Sequence, residues 1–278
     1  MKAGEPSRTA RSAAAHRAAH QLLEQGSIFA DPLALAILGE PAETVAEEAQ
    51  SDPSRRRMRL FIAMRTRLAE DAIGRAAGDG VGQLVVLGAG LDSFAYRNPH
   101  RHLRVFEMDH PETQAWKRQR LAEAKIDAPA SLTFAPIDFE RETLPEALAR
   151  AGFDSTRPAF FSWLGVVPYL TEDAVFATLG VIGQLPRGTQ VMFDYGDPPE
   201  TLAPETRALH DTRAHRVAAL GEPWISHFDP VLLAEKLHAL GFSEIDDKGP
   251  VRLAERFFAG LPTPSSDRGG HVVLASVG

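Results

Sequence analysis

From residue 83 onward, short apolar runs alternate with longer stretches in which apolar residues recur every three or four positions. The runs lie at 83–87 (QLVVL), 103–108 (LRVFEM), 132–137, 159–164, 189–195 and 271–276, and FSEID at 242–246 is a further, more polar strand candidate. Runs of this length bounded by turn residues read as strands, and the stretches with helical period read as helices. The helices are expected at 111–125, 142–151, 171–184, 201–220 and 229–240. Strands that alternate with helices imply crossover connections and a mostly parallel, doubly wound α/β sheet. The last two strands lack a full crossover pattern and are open to antiparallel pairing.

Before residue 79 the pattern is helical throughout. Ser7 or Thr9 can cap a first helix that runs to about Gln25 and stops at Gly26. Asp31 followed by Pro32 reads as an N-cap and a first helical residue, with Gly39 past the end. A third helix is expected over 54–77, with Leu60, Phe61, Met64, Leu68 and Ala72 on one side. The chain thus divides into a helical segment, 1–78, and an α/β core, 79–278.

Composition narrows the function. The formal net charge is -7 and the largest basic block is Arg55-Arg56-Arg57, which argues against a nucleic-acid partner. No cysteine is present, so disulfides, zinc–thiolate sites and cysteine nucleophiles are excluded. The first residues carry no apolar signal region, and no run approaches the ~20 apolar residues of a membrane span. A cytoplasmic protein without a membrane partner is expected.

The first strand ends in Gly88-Ala89-Gly90. In open α/β sheets ligands bind beyond the carboxyl ends of the strands, and glycines let the backbone turn tightly and come close to a ligand. By itself Gly-x-Gly is weak, and a plain tight turn explains it equally well. The next strand ends in FEMD. Asp109 lies nineteen residues after Gly90, a spacing suited to accepting hydrogen bonds from both ribose hydroxyls. The third strand ends in IDFE, where Asp138 can accept from an exocyclic amine and Phe139 can face an adenine ring. NAD and S-adenosylmethionine both contain these parts. The NAD fingerprint wants a third glycine where this chain has Ser93, and Asp92 would set an anion near the pyrophosphate. S-adenosylmethionine, which has no phosphate, is favoured.

These residues, with RTARSAAAHRAAH, IFADPLALAILG, FIAMRTRLAEDAI, VVLGAGLDSFAYR, VFEMDHPETQAWKRQRL, AGFDSTRPAFFSWLGVVPYLT and GEPWISHFDPVLLAEKLHALGF, resemble the leucine carboxyl methyltransferase-like family. Within it, the likeness is to the bacterial O-methyltransferase branch. The resemblance implies a class I (Rossmann-like) methyltransferase sheet of seven mostly parallel strands with an N-terminal helical lid. It implies that Arg65 holds the methionyl carboxylate, that Gly88 and Gly90 form the cofactor turn, that Asp109 binds the ribose, and that Asp138 and Phe139 hold the adenine. One position departs from the family. Leu164 stands where the leucine carboxyl methyltransferases carry a glutamate, which weakens the transfer of that cofactor contact and of a protein substrate.

The remaining candidates are weaker. His16 and His20 stand four apart on a helix, but Arg17 replaces the glutamate a zinc protease needs, and no metal is expected. Trp163, Tyr169, Tyr195 and His227 are candidates for the acceptor pocket. Packing explains the first two as readily. Asp194 and Tyr195 close the fifth strand. Methyl transfer chiefly needs alignment and exclusion of water. A carboxylate is ionised at neutral pH and needs no base, whereas a phenol benefits from one. His110, His210, His215 and His227 are possible bases among which the sequence does not choose, so no catalytic residue is named. The expected activity is O-methylation of a small organic molecule, with carboxylate ahead of phenol. The alternatives are a cofactor-binding protein without catalysis and a nicotinamide-dependent oxidoreductase.

Overall fold

A computed structural model describes residues 7–52, 54–138 and 141–278. The elements run α1 (Arg8–Leu23), α2 (Ala34–Leu38), α3 (Ala42–Gln50), α4 (Ser54–Gly78), β1 (Gln83–Leu87), β2 (Arg104–Asp109), α5 (Pro111–Glu123), β3 (Leu132–Pro136), α6 (Leu144–Arg150), β4 (Phe160–Trp163), α7 (Glu172–Gly183), β5 (Gln190–Gly196), α8 (Pro204–Ala219), α9 (Pro230–Ala239), β6 (Phe242–Lys248), α10 (Pro250–Phe257) and β7 (Gly270–Val277). The seven strands form one sheet in the order β3-β2-β1-β4-β5-β7-β6. Only β7 runs against the others; it is antiparallel to both β5 and β6, so β6 itself is parallel to the core. The chain reverses direction across the sheet between β1 and β4, which opens the crevice where ligands of doubly wound sheets bind.

Strand alternation sorts the side chains to two faces. Val85, Phe106, Phe161, Trp163, Phe193 and Tyr195 meet α6, α7 and α9 on one face. Leu84, Val86, Phe160 and Met192 meet α4 and α10 on the other. Because Ala63, Met64, Leu68, Ala69 and Ala72 of α4 pack on the sheet, α4 belongs with the core. α4 thus packs on the sheet although it lies within the helical segment 1–78. The earlier helices share a third, small core in which Ala14, Ala18, Ile37, Leu38 and Val45 close on Leu91 and on Leu121 of α5.

Asp31 stands three residues before α2 and keeps a cap contact to the turn that enters it, its Oδ1 accepting from Leu33 N at 3.2 Å. The helix begins at Ala34 with Leu33 as its N-cap, while the Asp31 carboxylate is drawn into a buried pair with Arg17 (Nε–Oδ2 3.1 Å) and accepts from Ser93 Oγ at 2.7 Å. Arg17 Nη2 donates to Leu91 O at 2.6 Å. Ser93, at the place of a third fingerprint glycine, thus ties the segment before α2 to the turn after β1.

A second buried network lies between β5, β6 and β7. His271 stands between Asp197 (3.0 Å) and Asp247 (2.9 Å), and Tyr195 donates its hydroxyl to Asp247 at 2.5 Å. Burial pulls the His271 pKa down, but hydrogen bonds to both carboxylates outweigh it and push it up to about 9. A histidine whose folded value is raised stabilises fully below its unfolded value of about 6.5, and the gain is lost as pH rises through the folded value. The protein is expected to lose about 3 kcal/mol of this contribution between roughly pH 6.5 and 9. Denaturant titrations across that window should show a slope that His271→Gln flattens. An unchanged slope in the variant would assign the pH dependence elsewhere.

Candidate active site

The turn after β1 is built on two left-handed glycines, Gly88 (φ 65) and Gly90 (φ 44). A Cβ on Gly88 would collide with the Val166 side chain, and one on Gly90 would sit 2.9 Å from Ala10 Cβ of α1. Both glycines are therefore required by space as well as by φ. Gly90 N donates to Asp109 Oδ2 at 2.6 Å, and His110 N donates to Asp109 Oδ1 at 2.7 Å. The two strand ends are thereby fastened together. Burial raises the Asp109 pKa, and the two amide hydrogen bonds oppose the rise. Behind it, Glu107 forms a fully buried ion pair with Lys117 at 2.7 Å, and burial pushes its carboxyl up to about 7. Asp138 follows β3 beside Arg141 (3.4 Å). Phe139 lies outside the described residues.

Arg65 reaches the same crevice from the buried side of α4. Its Nη1 donates to Asp194 Oδ2 at 2.6 Å, while Gly165 N donates to Asp194 Oδ1 at 2.6 Å. Gly165 has φ 72, and a Cβ there would meet Arg65 Nη2 at 2.6 Å, so the guanidinium passes where only glycine leaves room. Arg65 Nε is buried without a hydrogen-bond partner. A buried unpaired N–H is costly, and this one is a donor available to a carboxylate.

Around this core the structure sorts the acceptor candidates. Trp163 and Tyr195 are 2% exposed and belong to the core on the α6, α7 and α9 face, where Trp163 packs on Phe193 and Tyr195 stacks on His271. They do not line the crevice. On each strand the neighbouring residue faces α4 instead, which is why Asp194 and not Tyr195 meets Arg65. Tyr169 and His227 lie at the strand ends. Burial raises the Tyr169 pKa, and the Trp224 side chain and Arg65 lie near enough to oppose it. Leu164 is half-buried against the α4 face. His20 is tied to Glu24 and to the Ile28 amide. His16 is held down to about 3 by burial and then by the charges of Arg55, Arg59, Arg65 and Arg213, of which Arg59 and Arg65 are paired with Glu24 and Asp194.

The sequence did not single out Arg17, Gly165 or Glu222 for the site. Glu222 closes α1 from outside. Its carboxylate accepts from Thr9 N at 3.0 Å and Arg8 N at 3.3 Å, an anion at the positive end of a helix. A glycine directly after a strand was the signal for Gly165. No local pattern marks the other two.

A glycine turn at the switch point, an acid on the next strand end and a buried arginine with a spare donor fit a class I methyltransferase site. Residues 10–183 match the leucine carboxyl methyltransferase family, and the chain belongs to that family. A Bacillus subtilis (strain 168) protein named "Putative S-adenosyl-L-methionine-dependent methyltransferase YktD" is 29% identical over 287 residues, which cover 93% of each chain. A solved structure from Thermobifida fusca YX, described as a "putative methyltransferase", aligns with TM-score 0.57 at 18% identity over 99% of this chain and 96% of that one. Magnesium protoporphyrin IX methyltransferase from Synechocystis, solved with bound S-adenosylhomocysteine, aligns with TM-score 0.50 at 12% identity over 88% and 92%. The protein is a methyltransferase, and its cofactor is S-adenosylmethionine. No helix among the described residues is long and apolar enough to cross a membrane.

Proposed function

We propose that the protein transfers a methyl group to an oxygen atom of a small organic acceptor held between the ends of β4 and β5 and the helices α1 and α8. The observation that carries this reading is the Arg65–Asp194–Gly165 arrangement with its unpaired buried Nε. It suits the methionyl carboxylate and thereby turns the reactive end of the donor toward Tyr169 and the 224–227 loop. Gly88 and Gly90 give the donor room, Asp109 holds the ribose and Asp138 the adenine. When bound, S-adenosylmethionine supplies an electrophilic methyl group. The protein's share is to align the acceptor and exclude water.

In this reading α1 to α3 act as the lid. Ala10 sits over Gly90, Arg17 grips Leu91 O and Glu222 holds the start of α1. Glu222→Gln should weaken that hold, and amide exchange over residues 8–14 should speed up several-fold while exchange in β1 stays unchanged. Equal exchange in both proteins would remove Glu222 from the lid. The transfer itself is tested with labelled S-adenosylmethionine against mixed acids, phenols and amines. A methyl ester releases methanol in mild alkali and an aryl ether does not. Label on nitrogen or carbon would defeat the oxygen reading.

A further inference from the structure

A hydrogen-bonded row of side chains lies beside the end of β5, apart from the groups assigned to the cofactor. His227 Nε2 stands 3.1 Å from His210 Nε2, and His210 Nδ1 stands 3.1 Å from Asp211 Oδ1. His210 and Asp211 come from α8, whereas His227 comes from the loop before α9. Several contacts fix the row at the crevice. The His227 imidazole edge lies beside the end of β5, its Cδ2 3.7 Å from where a Cβ on Gly196 would stand, an ordinary packing distance. The next amide, Phe228 N, donates to Gly196 O at 3.0 Å, and Ile225 N donates to Pro168 O at 2.6 Å. The His210 ring lies 5.3 Å from Trp224, which in turn neighbours the Tyr169 hydroxyl.

The row has a direction. An ionised carboxylate only accepts, so Asp211 keeps the proton on His210 Nδ1. The neutral His210 ring then accepts at Nε2, and His227 must donate from its own Nε2. That leaves His227 Nδ1 with a bare lone pair. Among the described residues nothing hydrogen-bonds to it. The charged groups near the pair are Glu200 beside His227, and Asp211 with Arg207 at 3.9 Å beyond His210. Burial holds His227 below the ordinary histidine value, as does any positive charge on His210, against the opposing charge of Glu200.

The geometry points to His227, oriented by His210 and Asp211, as the general base that takes the proton of the acceptor, which makes that acceptor a phenol-type hydroxyl. The inference rests on the oxygen-transfer reading and reverses the preference for a carboxylate. That preference came from the lack of an identifiable base in the sequence, and a carboxylate, already ionised, would leave this one idle. The acceptor's O–H proton passes to His227 Nδ1. The oxygen's electron pair forms the bond to the methyl carbon, and the carbon–sulfur pair stays on sulfur as a neutral thioether. The positive charge lost by the sulfonium appears on the imidazolium, which returns its proton to water.

The test uses para-substituted phenols from 4-nitrophenol to 4-methylphenol, the matching benzoic acids and the matching anilines, each with labelled S-adenosylmethionine. Wild type is expected to make alkali-stable aryl ethers. His227→Asn should lower kcat on 4-methylphenol by about 10²- to 10⁴-fold, the usual worth of a positioned base. The same variant should lose only a few-fold on 4-nitrophenol, which ionises near neutral pH unaided, and higher pH should partly restore 4-methylphenol turnover. His210→Asn, which breaks the row one step out, should follow the same trend at smaller size. S-adenosylhomocysteine affinity, measured by calorimetry, should stay within about twofold in both variants and reports that the site is folded. A loss equal across all phenols, esters from benzoic acids alone, or no transfer to any probe would overturn the relay. Methylated anilines alone would instead overturn the oxygen reading on which it rests.

Discussion

Arg65→Ala is expected to weaken S-adenosylhomocysteine binding by about thirtyfold or more, a loss of roughly 2–4 kcal/mol for a buried charge-assisted pair. Arg65 sits on the buried side of α4, one guanidinium nitrogen is held by Asp194, and its Nε has no partner. The free donor and the fixed geometry together prepare it for a carboxylate. Arg67, two residues along, points to solvent and pairs with Asp71 at 2.8 Å, an i,i+4 surface pair worth little. Arg67→Ala should therefore change affinity by less than about twofold. Removing Arg65 also strands the Asp194 carboxylate, so the double variant Arg65→Ala/Asp194→Asn separates the two effects. It should regain thermal stability without regaining affinity. Equal losses from the Arg65 and Arg67 variants, or full recovery of binding in the double variant, would show that Arg65 acts on the fold and not on the cofactor.

Asp31→Ala is expected to lower stability strongly. Asp31 and Arg17 form a buried pair, and Ser93 Oγ adds a second hydrogen bond to the same carboxylate. Removing one partner leaves a buried guanidinium uncompensated, at a cost of about 3–5 kcal/mol. At roughly 2–4 °C per kcal/mol for a chain of this size, the melting temperature should fall by about 6–20 °C. Ser93→Ala removes only a neutral donor and should cost about 1 kcal/mol. A melting curve for Asp31→Ala within a degree or two of wild type would mean that the pair contributes nothing net.

Much of this was legible in the chain. All seven strands fall within a residue or two of the expected segments, and β1 to β5 do so because a buried parallel strand is a largely continuous apolar segment with sharp ends. The glycine turn after β1 and the acid that ends β2 were legible too, since both follow from position relative to a strand end. Other features were not. The short helices α3 and α10 lack a long periodic stretch. Asp31 carries a strong local signal for a helix cap and keeps the contact to Leu33 N with one oxygen, but its other oxygen goes to Arg17 on the preceding helix. A charge partner that arrives through tertiary packing leaves no mark in the residues around Asp31. Trp163 and Tyr195 stand at the right strand ends but on the wrong face, and which face meets α4 is decided by packing as well. The histidine row joins residues 210, 211 and 227, which no spacing rule connects.

The contact between Ala10 and Gly90 has a kinetic meaning. If α1 is the lid and the glycine turn holds the cofactor, as proposed, the departure of the helix seated on that turn becomes the condition for exchange of spent cofactor. On the lid reading, residence time of S-adenosylhomocysteine equals the waiting time for α1 to lift. That waiting time is set by the buried hold of Arg17 and the more exposed hold of Glu222, and ionic strength screens chiefly the second. Salt should then shorten product residence, and turnover limited by release should quicken before high salt begins to weaken binding of the donor itself.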